Sequence, residues 1–163
     1  MKGRLLHYFK RYDDCLIAYP YPVRMATTGL FCFCGDIIAQ YFSRDKSKKW
    51  RMNWDRNFRQ VCFGFFWVGP ILGYYYAQML PRIFPAAGQS RLALTLKKLL
   101  FDAVCFNPIY TLSIFPVLNF LYGKSVEQTK KDVKDKYPTT IKISWCLWST
   151  VNFCNFMIIP IRY

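Results

Sequence analysis

The sequence predicts an all-α fold, an integral membrane bundle of four transmembrane helices with kinked spans and basic interfacial connections. Three observations predict it. The 163 residues are 53% hydrophobic and 20% aromatic. Their charges collect in a few short blocks, where a soluble domain this apolar would scatter them along its helices. Between the blocks stand uncharged or nearly uncharged runs of about 20 residues, and at about 1.5 Å per residue each reaches roughly 30 Å, the thickness of a bilayer's hydrocarbon core. One membrane domain is expected over 23–163, with spans near 23–42, 60–80, 103–123 and 143–161, behind a basic segment at 1–22.

That first segment is basic before Asp13 and Asp14 and has no long apolar core followed by small residues. It therefore reads as an organelle-targeting or membrane-surface segment, not a secretory signal. Leu5, Leu6 and Phe9 form its apolar side, with Arg4, Lys10 and Arg11 at the headgroups.

Pro20 and Pro22 break the chain and open the first span. Asp36 is the only charge between Arg24 and Arg44, and Gly29, Asp36 and Gln40 stand seven and four residues apart on one helical face. A carboxyl group inside a span is costly against lipid, so Asp36 must face a partner or a water-filled cavity, or be protonated. A fastening hydrogen bond or ion pair meets that need as well as a transport role does.

Residues 43–59 are densely basic, with Trp50 and Trp54 among the charges. Tryptophan favours the headgroup level, which puts Trp50, Arg51, Trp54, Arg56 and Arg59 at the lipid interface. The second span, 60–80, contains no charge, and its Gly69, Gly73 and Ala77 recur every fourth residue as a packing stripe. Pro70 withholds a backbone donor and should kink it. Pro81 and Pro85 are expected to end it, with 86–90 a short flexible stretch.

Lys97, Lys98 and Asp102 form the entry turn of the third span, with Lys97 and Lys98 at the headgroups and Lys98 within pairing reach of Asp102. Pro108 and Pro116 should bend it. Residues 124–142 read as a polar connection, with Pro138 beginning the last helix. In that helix Trp145, Trp148, Asn152, Asn155 and Ile159 alternate by three and four as one seam. The asparagines are expected to face Asp36 and Gln40, completing with Asp102 a polar intramembrane seam or pore lining.

The order of these residues resembles the Mpv and peroxisomal membrane protein (Mpv/PMP) family of four-span organelle membrane proteins, from about Pro22 onward. Four carriers occur in order: Pro22, Thr28-Gly29-Leu30, Gly35-Asp36 and Gln40; Gly64, Gly69-Pro70 and Tyr76; Lys98, Asp102 and Pro108; and Trp148, Asn155-Phe156 and Ile159-Pro160. Several polar signature positions differ, with Gly73, Tyr75, Ala103, Ser149 and Asn152 where the family pattern has histidine, tryptophan, glutamine, proline and glutamine. Apolar scaffold residues are kept while polar ones are lost. The resemblance implies a protein of the mitochondrial inner membrane, with the peroxisomal membrane as the alternative.

The formal net charge of +14 could suit nucleic acid, but no recognition motif accompanies it, and basic loops beside spans are explained by anionic lipids and topology. Nucleic acid is not expected as a partner. Thirteen Lys and Arg lie in the first and third connections against nine at the opposite ends, which tilts those two connections toward the matrix. The seven cysteines form no CxxC pair and His7 is the single histidine, so no metal or cofactor is expected, and the thiols read as small buried hydrophobes. No catalytic residue is expected either, because there is no nucleophile-and-base pair, no metalloprotease motif and no phosphate loop. Two readings remain: an accessory or scaffolding subunit among other inner-membrane proteins and anionic lipids, or a small-solute pore.

Overall fold

The structure is a computed structural model that describes residues 2–44, 49–85, 88 and 90–158, apart from the side chains of 2–6, 8 and 9. Every element among the described residues is helical. Contacts divide the chain into two compact units, Met1–Tyr75 and Tyr76–Tyr163.

The first unit opens with α1 (Lys2–Ala18) and α2 (Pro20–Phe42). The expected start of the first span near residue 23 moves back to Pro20, since proline suits a first helical turn whose N–H groups have no intrahelical partner. Next come α3 (Trp54–Phe63), a π-helical turn (Gly64–Val68) and α4 (Gly69–Tyr74). Asn53 caps α3, its side chain accepting from the Arg56 N–H at 2.9 Å. The last six residues of the predicted connection are therefore helix, beginning at Trp54 in place of residue 60.

A second π turn (Tyr75–Met79) carries the helix into α5 (Leu80–Ile83), so Pro81 does not end it. In the second unit α6 (Arg91–Phe101), a third π turn (Asp102–Phe106) and α7 (Asn107–Leu121) form one continuous helix, and α8 (Val126–Ile158) returns along it. The three π turns share a cause legible in sequence: each ends two residues before a proline, at Pro70, Pro81 and Pro108. A proline ring clashes with the carbonyl four residues back and offers no N–H, and widening the preceding turn by one residue relieves both faults.

Gly123, at φ 66°, closes α7: its N–H bonds the Phe120 carbonyl while the Lys124 N–H bonds that of Asn119, a paired Gly-terminated cap. The predicted connection at 124–142 is instead the first half of α8, with Pro138 inside the helix. Its start is fixed by a reciprocal capping box, Ser125 N–H to Gln128 Oε1 and Gln128 N–H to Ser125 Oγ.

Burial is inverted relative to a soluble domain. Among the described residues, the buried side chains comprise ten polar or charged residues and five apolar ones, Phe63, Tyr75, Leu80, Leu94 and Ile141. Phe31, Phe42, Phe66, Ile109 and Phe120 are each at least 69% exposed. By length and apolarity, one helix among the described residues, Arg91–Leu121, qualifies to cross a membrane, whereas the sequence predicts four. The shortfall has a compositional reason: α2 carries Thr27, Thr28, Asp36 and Gln40, the second helix is rich in Gly and Tyr, and the second half of α8 carries Lys142, Ser149, Asn152 and Asn155. The cysteine expectation is corrected too, because Cys15, Cys34, Cys105, Cys146 and Cys154 are exposed. The 86–90 stretch (at 86, 87 and 89), the side chains of Arg4, Leu5, Leu6 and Phe9, and the Ile159-Pro160 pair lie outside the described residues.

Candidate functional site

In the first unit, α2 buries Gly29, Asp36 and Gln40, the three residues whose spacing put them on one face. Asp36 Oδ2 accepts from Gln40 Nε2 at 2.6 Å and Asn57 Nδ2 at 3.3 Å, and Oδ1 meets Arg56 Nε at 2.9 Å. Gln40 also grips the backbone of Asn53, taking its N–H at 2.7 Å and donating to its carbonyl at 3.1 Å. Asn57 donates onward to the Phe33 carbonyl. One carboxylate thus ties α2 to the start of α3. Arg56, expected at the headgroups, is its counter-ion. A helix starting at residue 60 leaves Asn57 in the connection, out of sight of the sequence pattern; with the start at Trp54, Asn53, Asn57, Gln60 and Gly64 follow a four-three-four spacing on one face.

Glycines set the distance between these helices. A Cβ on Gly69 would lie 2.7 Å from Met25 Cα, and one on Gly64 would lie 2.5 Å from Cys32 Sγ. Gly73 is buried as well, its carbonyl accepting from Arg24 Nη1 at 3.0 Å. Ala77 departs from the predicted stripe and is exposed, because the π turn at Tyr75–Met79 rotates it away.

In the second unit, Asp102 is buried, with Oδ1 accepting from the Tyr76 hydroxyl at 3.2 Å and Oδ2 from Asn152 Nδ2 at 2.9 Å. Asn152 also donates to Tyr76 Oη. Further along, Asn107 Oδ1 accepts from Thr111 and Ser144, each at 2.8 Å, and Tyr137 donates to the Pro108 carbonyl. Trp145 Nε1 donates at 2.8 Å to the carbonyl of Ala103. That carbonyl is available because the Asn107 N–H reaches back to Asp102 across the π turn. A polar ladder therefore joins α8 to the third π turn and α7 in antiparallel order.

This corrects the expectation for Asn152, whose amide bonds Asp102 and Tyr76 in place of Asp36 and Gln40. Asn155 is exposed: the contact face drifts as two long helices wrap, and beyond Asn152 it runs through Phe156, whose ring lies against Tyr76. Lys98 is buried, not at the headgroups, and among the described residues no ion pair joins it to Asp102, whose oxygens face Tyr76 and Asn152. Lys97, Arg51, Trp50 and Trp54 are exposed, and Arg59 pairs with Asp55 at 2.7 Å.

Where α7 turns into α8, Asp132 accepts from Lys124 Nζ at 2.7 Å, from Lys136 and from Asn119 Nδ2 at 3.1 Å. The hydrogen bonds from Lys124 and then Lys136 hold its carboxyl well below the usual carboxylate range.

Apolar rings outside and hydrogen-bonded polar pairs inside define an α-helical membrane protein. The comparisons agree: the profile of the Mpv17 / PMP22 family matches residues 119–163. The mitochondrial inner membrane protein Mpv17 of Xenopus laevis is 31% identical over 155 residues, covering 95% of this chain and 85% of that protein. Peroxisomal membrane protein 2 of Bos taurus is 27% identical over 159 residues, covering 94% and 78%. Human Mpv17 is 28% identical, covering 95% and 85%. The chain belongs to the Mpv17/PMP22 family, with the mitochondrial inner membrane as its location and the peroxisomal membrane as the alternative. No solved structure matches it.

Proposed function

We propose that the chain is a non-enzymatic, four-span accessory or scaffolding subunit of a mitochondrial inner-membrane assembly. Its apolar faces pack against neighbouring subunits and its basic segments meet anionic lipid headgroups. The helical runs extend from 23 residues in α2 to 33 in α8, long enough to cross a hydrocarbon core of roughly 30 Å. The observation that carries the reading is where the intramembrane polar groups go. Asp36, Gln40, Asp102 and Asn152 bond to side chains and backbone of neighbouring helices, the geometry of a fastened bundle.

A second reading, a small-solute pore, draws on the ladder of Asp102, Asn107, Thr111 and Asn152, since polar side chains along a helix pair can also line a path. Planar-bilayer recording of the reconstituted protein separates the two. The accessory reading predicts conductance no higher than in protein-free bilayers. Conductance whose ion selectivity changes on Asp102→Asn would overturn it.

A further inference from the structure

Arg56 is anchored by one edge only. Its Nε stands 2.9 Å from Asp36 Oδ1 as an ion pair, and the other oxygen of that carboxylate accepts from Gln40 and Asn57, which orients it. The ion pair is made through Nε, and the two Nη groups form no hydrogen bond among the described residues. The side chain is 42% exposed, whereas that of Asp36 is 4% exposed. An oriented guanidinium edge with two parallel N–H pairs matches two oxygens of a phosphate.

The surroundings set the depth of this edge. Trp50 lies against Tyr41 with ring centroids 6.0 Å apart, and the Arg44 guanidinium sits 3.8 Å above the Tyr41 ring. Trp54 is exposed two residues before Arg56, and Phe58 is exposed two residues after it. Such rings in a basic segment mark the headgroup level of a bilayer, where the anions at hand are lipid phosphates. Asp55, the nearest acid in sequence, is paired with Arg59.

We propose that the Asp36–Arg56 pair is a preset fork for the phosphate of an anionic membrane phospholipid, with Asp36 as the positioning residue and Arg56 as the ligand-binding one. It deepens the reading of residues 43–59 as a headgroup-facing segment and rests on it. A buried carboxylate thereby couples the packing of α2 on α3 to an occupied lipid site.

Native mass spectrometry of the full-length protein in mild detergent, titrated with phosphatidylglycerol, tests it. Arg56→Lys keeps a cation for Asp36 but loses the planar fork, and is expected to weaken lipid retention about tenfold. Arg59→Lys, equally basic and nearby, is expected to match the wild type. If Arg56→Lys fails to fold, Asp36→Asn with Arg56→Gln, which removes both charges together, serves in its place and should show the same loss. Unchanged retention in the Arg56 variants, or an equal loss in Arg59→Lys, overturns the fork. Displacement of the lipid by millimolar inorganic phosphate overturns its assignment to a lipid. Wild-type protein that retains no phosphatidylglycerol overturns the headgroup reading along with it.

Discussion

A Cβ built on Gly69 would stand 2.7 Å from the Cα of Met25, and backbone cannot yield as a side-chain tip can; one built on Gly29 would rest 3.5 Å from Phe65 Cβ, an ordinary contact. Gly69→Ala should therefore cost about 1–3 kcal/mol by forcing the helices apart, while Gly29→Ala should be neutral or stabilise by about 0.5–1 kcal/mol through reduced chain entropy. Unfolding of both variants in mixed detergent micelles checks the difference, and equal effects would contradict the close approach. Gly69 and Gly73 were readable because they lie one α-helical turn apart. Gly64 was not, since a five-residue step falls roughly 140° around a regular helix and meets the same neighbour only through a π turn. Asp36 and Gln40 were readable by their own spacing. Arg56 was not identified as their partner, because nothing local separates an arginine at a headgroup from one paired to a carboxylate on another helix.

At the scale of elements, the π turn at Asp102–Phe106 leaves the Ala103 carbonyl without its intrahelical donor, and Trp145 supplies one. Trp145→Phe keeps most of the apolar area but not the donor. It should cost about 1–3 kcal/mol and speed amide exchange around 102–107 in hydrogen-exchange mass spectrometry. The proline two residues after each π turn was a usable signal, but a kink is a looser expectation than an inserted residue, and only the latter shifts every following side chain. The α8 start was legible in the Ser125 and Gln128 pair and was obscured by the charge of the stretch behind it. Its Asp132 carries a pH dependence. Because its folded carboxyl titrates below the unfolded value of about 3.9, its stabilisation is fully present above that pH and is lost as pH falls beneath it. Asp132→Asn should therefore lower the thermal midpoint at pH 7, with the gap to wild type narrowing as pH drops below about 4. A constant gap would contradict the assignment.

For the whole molecule, the all-helical class was legible because long uncharged runs alternate with charged blocks. The partition of its polar groups was not, because any two polar seams of similar spacing can be paired on paper. Asn152 could match Asp36 by pattern, and only packing showed that Asp102 and Tyr76 receive it. Two polar networks, one in each unit, fasten helices to one another, which is what the accessory reading requires of them. The most direct measurement is native electrophoresis of gently solubilised mitochondrial membranes, followed by identification of what migrates with this chain. An accessory subunit predicts migration within a large inner-membrane complex that persists through purification. Migration alone or as a small oligomer would contradict it.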